Sequence, residues 1–435
     1  MIRFTWIARS LGALALVSLI AGCATRAPEP VVHRLAEENG FRWYKGNTHT
    51  HTLWSDGDAA PELAVSWYKE HGYDFLSLTD HNVTLHGLRL FPIGENTRLT
   101  PDRVAMLEEK FGKDNVKTWK SDGEHSMKLL TLEDLRERFE DPGKFLLIEG
   151  EEITGRSHVN GINTRGLINP SPSKDNVRSM RDQVTSVDTH SAEHDVPMFA
   201  HVNHINFSQG ISAEELAGVT EGRYFEVYNG HRSVRNWGDD KRRIPSTDRK
   251  WDIVLAHRLA ADPNKILYGV ATDDTHNYFG GSEAHSAAGR GWSMVLAETL
   301  EDNAIAEAFL RGDFYASSGV TLSSITWDDN AYTITVDAEP GVTYTTQFIG
   351  TRKGFDDSSA VALDAEGKEL PKRTRVYSDA IGEVLFETTA VPAVYPFAGD
   401  ELYVRAKIVS SKLQSGPFQE GDLESAWTQP VVCED

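Results

Sequence analysis

The sequence predicts an α/β chain followed by a smaller all-β module. From Phe41 to about Val320, short apolar runs alternate with segments of helical periodicity. After Val320 the texture changes to alternating polar and apolar residues, with Gly, Asp and Pro in the turns between. Candidate metal-ligating side chains stand just beyond the apolar runs of the first part and are few in the second.

Phe41 to Lys45 reads as the first strand. His49 and His51 follow it two positions apart, so in an extended chain they point to the same side. Asp58 to His71 reads as a helix, with Pro61 in its first turn and Leu63, Trp67 and Tyr68 at helical spacing. Asp74 to Thr79 is a short strand. Residues 82–143 make a long excursion in which Thr100-Pro101 and Thr131 read as helix starts. Lys144 to Glu149 is a strand, with a further extended stretch from Ser157 to Asn163. A helix from Val177 to His194 precedes strands at Pro197 to Ala200 and Tyr224 to Tyr228. A helix from Trp251 to Ala261 and a strand from Ile266 to Ala271 come next, and Trp292 to Ala297 with a helix from Leu300 to Arg311 closes the series. This alternation argues for parallel βα units in a barrel or an open sheet. No glycine-rich dinucleotide or phosphate loop accompanies them.

Beyond Val320, the runs at 325–327, 332–336, 344–349, 383–387 and 402–408 read as strands of a small sandwich of about 115 residues. With few candidate ligands, it is expected to act in support or recognition.

The 435 residues are 40% hydrophobic and 25% charged, a globular composition. A formal net charge of −21 argues against a nucleic-acid-binding surface. An anionic substrate must therefore be met by local positive charge or by metal. Residues 1–23 read as a targeting segment, with Arg3 and Arg9 before an apolar run from Leu11 to Ile20 that is too short for an ordinary membrane helix. It ends Leu19-Ile-Ala-Gly-Cys23, which resembles a bacterial lipobox. That resemblance implies cleavage before Cys23, lipidation of Cys23 and, with Ala24 following, an outer-membrane anchor facing the periplasm. The expected organisation is a signal peptide over 1–23, a tether over 24–40, a catalytic domain over 41–320 and a β domain over 321–435. The only other cysteine is Cys433, so no intramolecular disulfide is expected once Cys23 carries lipid.

The chemistry-bearing residues fall at strand ends. His49, His51 and Asp56 follow the first strand and His81 the second. Glu152 and His158 follow Lys144 to Glu149, His201 ends the next strand, and Asp274 and His276 end the strand from Ile266. In a parallel barrel such ends gather at one face. Any one of these residues alone reads as a cap or a hydrogen-bonded core histidine; together they read as a metal site, and two or three ions sharing a bridging carboxylate would use them all. Strand alternation lets only one of Glu151 and Glu152 reach the ions.

The motifs at 49–57, Leu78-Thr-Asp-His81, Gly150-Glu-Glu-Ile-Thr154, Phe199-Ala-His201 and Asp274-Thr-His276 resemble those of the PHP (polymerase and histidinol phosphatase) metallohydrolases. Arg311 to Gly319 looks like the carbaryl-hydrolase-like branch of that family. The resemblance implies a distorted seven-stranded (β/α) barrel with two to three divalent ions, Mn, Zn or Fe. It assigns His49, His51, Glu152 and Asp274 to a first ion. A second ion would share Glu152 and take His158 and His201, and a third would take Asp56, His81 and His276. Where the family often has Pro after the position of His201, this chain has Val202, Asn203 and His204.

The implied reaction is hydrolysis by a metal-bridging hydroxide, with His204 and His231 as candidate proton donors and Asp80 and Asp273 as groups that orient ligands. No Gly-x-Ser-x-Gly elbow offers a covalent nucleophile. A basic island of Arg232, Arg235, Lys241, Arg242 and Arg243 follows Tyr228, and Arg232 is the candidate substrate contact. A phosphoesterase acting on a small anionic substrate is the expected function. The alternatives are a carboxylester, carbamate or amide hydrolase, and a non-catalytic metal-containing binding lipoprotein.

Overall fold

The computed structural model describes residues 32–121, 123–208 and 210–433. The targeting segment, Cys23 and the start of the tether lie outside the described residues. What is described is a mixed α/β fold with seven α-helices and one large sheet of fourteen strands.

Seven strands carry the site. In sheet order they are Arg42–Asn47, Phe75–Leu78, Leu146–Thr154, His158–Ile162, Phe199–Val202, Tyr224–Asn229 and Tyr268–Thr272. Phe75–Leu78, Tyr224–Asn229 and Tyr268–Thr272 are buried along their whole length, as expected of strands covered on both faces. The pairings are parallel except around His158–Ile162, which is antiparallel to both neighbours. This departs from the all-parallel expectation. Gly155 to Ser157 is far too short for a crossover and leaves only a hairpin. The two ends of the run meet beyond the strands, where His51 N donates to Thr275 O (2.9 Å) and Asp274 N to His49 O (3.0 Å).

The helices form where the sequence signals them. Pro61–Glu70 starts with Pro in its first turn, and Thr100 and Thr131 cap Pro101–Phe111 and Leu132–Phe139 through their side chains. Thr247–Ala261 begins a turn earlier than expected because Ser246 caps it.

The sheet continues without a break into the C-terminal region. Arg42–Asn47 pairs with Trp292–Ala297, then come Phe314–Ser317, Leu423–Thr428, Glu401–Leu413, Tyr344–Arg352 and Glu383–Thr388. A second sheet joins Leu322–Trp327, Ala331–Val336 and Ala393–Pro396 to His33–Ala36, so part of the expected tether is a strand. At the junction, buried Arg405 grips Asp252 of the Thr247–Ala261 helix with Nε–Oδ1 at 2.8 Å and Nη2–Oδ2 at 2.7 Å.

Candidate metal centre

The Leu146–Thr154 strand supplies the hub. Its alternation turns Glu152 inward, while Glu151 faces away and accepts from Ile168 N (2.5 Å). Burial pushes the Glu151 carboxyl up to about 8. Glu149, on the same side as Glu151, accepts from Gly166 N and contacts His86 Nε2. Glu152 Oε1 accepts from Asn203 Nδ2 (2.8 Å) and lies 3.0 Å from His158 Nδ1, 3.3 Å from His204 Nε2 and 3.4 Å from His49 Nε2. Its Oε2 lies 3.5 Å from His51 Nε2 and 2.6 Å from His81 Nδ1.

His49 and His51 project into this centre from the segment after Arg42–Asn47, and both are fully buried. Their Nε2 atoms lie 3.4 and 3.3 Å from Asp274 Oδ1. Asp56 Oδ1 lies 3.3 Å from His276 Nε2 and 3.6 Å from His81 Nε2, forming a more open group in which the Asp56 side chain is 56% exposed. Two site residues carry left-handed backbone, Asp274 at φ 50° and His204 at φ 30°, an unusual conformation for a side chain as large as His204.

Surrounding groups hold the donors in place. Glu226 Oε1 lies 2.6 Å from His49 Nδ1, and Glu226 Oε2 accepts from His204 N and Asn229 Nδ2. Asp80 accepts from Thr52 N, Thr52 Oγ1 and Ser55 Oγ, and Ser55 Oγ lies 3.3 Å from His51 Nδ1. Asp273 takes three amides, those of Gly289, Arg290 and Gly291, and the Tyr68 hydroxyl, so it fixes a loop rather than a ligand. The loop at 55–57 folds so closely that a Cβ at Gly57 would lie 2.6 Å from the His51 carbonyl. The long excursion clamps that loop through Arg98, which donates to Ser55 O and Gly57 O.

Burial and charge oppose one another here. Burial alone would raise Glu152, yet His49, His158 and His204 hold its carboxyl well below the usual range. Burial likewise disfavours protonated His49, but Asp274, Glu226 and Glu152 outweigh it and raise its pKa. Burial takes His51 down to about 3 and His201 down to about 4, leaving both imidazoles neutral.

The donor set fits divalent metal. His49 Nε2 and His51 Nε2 are buried and make no hydrogen bond, although each faces carboxylate oxygens of Glu152 and Asp274. Buried polar atoms left so are rare in folded proteins. Ligand atoms held about 2.1 Å from one ion lie roughly 3–3.5 Å apart, which matches the spacing here. Three sets of donor atoms each lie within 4.8 Å of one another: His51, Asp56, His81 and His276; His49, His51 and Glu152; and His81, Glu152 and His158.

Eight of the nine expected ligands therefore converge. His201 does not join Glu152 and His158. Its Nε2 faces Thr48 Oγ1 (3.1 Å), while His204, three residues on, turns back to Glu152. The turn comes directly after Val202, the last residue of the strand Phe199–Val202. His231 stands at the rim, its ring centroid 5.6 Å from that of His276. Arg232 is directed away: it donates to Glu283 O and Pro417 O. Arg235 and Arg242 pair with Asp239, and Arg243 donates to Leu363 O, so three other cations of the basic island hold loops together. Glu226, Asn203 and Asn160 were not anticipated. Only Glu226 left a trace, as a lone acid between Phe225 and Val227.

Beside the centre opens a cavity of about 650 Å³, with His158, Asn203, His204 and Phe207 on its inner wall.

No family model matches this sequence, and no curated protein matches it. Among solved structures, the chain is similar to a two-domain protein from Bacteroides vulgatus containing a predicted PHP-like metal-dependent phosphoesterase. That match has 16% identity and a TM-score of 0.38, over 89% of this chain and 94% of that one. It is also similar to a predicted metal-dependent phosphoesterase from Bifidobacterium adolescentis, at 13% identity and a TM-score of 0.27, over 61% of this chain and 96% of that one.

Proposed function

We propose that this protein is a metal-dependent hydrolase of PHP type that acts on phosphoesters. The observation that carries this reading is the convergence of imidazole and carboxylate atoms on Glu152, with the buried Nε2 atoms of His49 and His51 left unbonded. The seven site-bearing strands, tied end to end at His49–His51 and Asp274–Thr275, support the distorted barrel, and the C-terminal strands support a sandwich-like module. Two to three ions of Mn, Zn or Fe suit a donor set of imidazoles and carboxylates. His49, His51, Glu152 and Asp274 would hold one, Glu152, His158 and His204 a second, and Asp56, His81 and His276 a third. When bound, such ions supply Lewis-acid polarisation of the scissile group and an activated water.

The chain's own residues do the rest. Glu226 and the Asp80–Ser55 pair orient the His49 and His51 rings from behind, which fixes where each Nε2 points. Asn203 holds Glu152 Oε1, and its amide also bonds Asn160 Oδ1 (2.7 Å), which orients the hub carboxylate. His231 Nδ1 accepts the Ser233 amide (3.1 Å), which places the proton of the neutral ring on Nε2. Burial takes this ring down to about 4, so it serves a leaving oxygen as a neutral hydrogen-bond donor at the rim. His204, engaged with Glu152, moves from the proton-donor role to the ligand role. In the same reading Cys23 carries lipid and anchors the exported protein to the outer membrane.

A panel of phosphomonoesters, phosphodiesters, aryl esters and carbamates, offered to metal-reconstituted protein, tests the proposal. Turnover of phosphoesters is expected. Turnover of carbamates or aryl esters alone would replace it with the carboxyl-hydrolase reading, and bound metal with no turnover would leave only a binding protein.

A further inference from the structure

The cavity beside the centre has an outer wall built from two distant parts of the chain. Arg156 and Lys174 come from the segments around the His158–Ile162 strand, and Lys372 and Arg373 come from the C-terminal module. Four cations around one cavity are unexpected in a chain of net charge −21. Two carboxylates share the wall, but both are occupied. Asp175 caps a helix through Arg178 N, and Glu215 accepts from Ser212 N and Asn176 Nδ2. Among the described residues, no carboxylate pairs with Arg156, Lys174 or Lys372.

The C-terminal contribution is fastened in place. Thr374 Oγ1 accepts from Ala213 N (3.0 Å), Arg375 N donates to Glu214 Oε1 (2.9 Å), and Arg373 Nε donates to Arg242 O (3.1 Å). The first two bonds hold 374–375 against the 212–217 segment and the third ties Arg373 to the loop at Arg242, so Lys372 belongs to a segment fastened at both neighbouring loops. Phe207 also lines the cavity, 42% exposed, its ring 5.4 Å from that of His204. One cavity therefore brings together His158 and His204 of the donor cluster, an aromatic face and the cations.

We infer that this cavity holds the remote end of the substrate, and that this end carries a second anionic group, a carboxylate or phosphate, bound by Arg156, Lys174 and Lys372. The inference rests on the phosphoesterase reading, since it places the scissile group at the donor cluster. It gives the C-terminal module a specificity role: the module selects among phosphoesters by what they carry at the far end. Cationic side chains recognise such groups through charge-assisted hydrogen bonds, which are stronger than neutral ones.

The test uses non-cleavable probes: alkylphosphonates and their ω-carboxylated counterparts of matching chain length, titrated calorimetrically into the metal-loaded protein. The carboxylated series should bind roughly tenfold more tightly at the best length. In Lys372→Glu and Arg156→Glu the ratio between the two series should fall to about one. A wild-type ratio near one, or a ratio that survives both charge reversals, overturns the inference. The two readings fail differently. If alkylphosphonates bind without a tail preference, only the cavity assignment falls. If neither series binds and no phosphoester is turned over, the phosphoesterase reading falls and takes the cavity assignment with it.

Discussion

Glu226 sits between Phe225 and Val227 in a fully buried strand, where an acid survives only with partners. Its partner is His49 Nδ1, so Glu226→Gln should weaken metal retention by roughly 10- to 100-fold, read by competition with a chromogenic chelator. His49→Ala or Asp274→Ala should abolish hydrolysis while circular dichroism stays unchanged; full turnover in both would remove the site assignment. The histidines were legible because they follow apolar strands directly. Glu226 and Asn203 were not, since neither belongs to a spacing that chemistry demands. His201 and His204 show the boundary of legibility. His201 lies in the strand Phe199–Val202 and His204 just beyond it, where the chain turns with φ at 30° and the His204 ring meets Glu152. Away from the site, burial pushes the Glu62 carboxyl from 4.5 up to about 7. The folded chain thus holds that proton more tightly than the unfolded chain. This group costs no stability below about pH 4.5, costs more as pH rises towards 7, and carries a constant penalty above it. Glu62→Gln should remove that slope and stabilise the protein at about pH 8 by a few kcal/mol, checked by urea unfolding at both ends of the window.

The Thr247–Ala261 helix shows why elements were read more reliably than their partners. Periodicity located it, but not that Asp252 faces Arg405 in a strand about 150 residues later. Arg405 is fully buried, bonds Asp252 through two nitrogens, and lies 3.2 Å from Asp248 Oδ1 through a third. Asp252→Ala would leave Arg405 with Asp248 as its remaining anionic partner, and a loss of roughly 3 kcal/mol is expected in chemical denaturation. Replacing Arg405 with Met should cost at least as much, because it leaves the buried Asp252 carboxylate with only the Tyr403 hydroxyl as a hydrogen-bond donor to its side chain among the described residues. The direction of the His158–Ile162 strand was, by contrast, available from the sequence. The seven residues, 150–156, between the runs Lys144 to Glu149 and Ser157 to Asn163 are already too few for a crossover.

At the scale of the molecule, the alternating and all-β textures do change near Val320, yet one sheet passes through both regions by way of Phe314–Ser317. Texture records the local period of the chain and is blind to which strands pair. The donor set predicts two to three divalent ions per chain by elemental analysis, and removal of metal should lower the melting temperature, since ligands that bind only the folded form stabilise it.

The donors are not equally sheltered. His49, His51 and Glu152 are sealed from solvent, while more than half of the Asp56 side chain is open to it. The consequence is an order in time. Under a chelator, an ion at the proposed Asp56, His81 and His276 group should leave first and return first, with ions at the buried groups exchanging on a slower clock. A protein with such a graded centre would pass through a defined, partly loaded state whenever metal is scarce, and stopped-flow chelation with two resolved phases would reveal it.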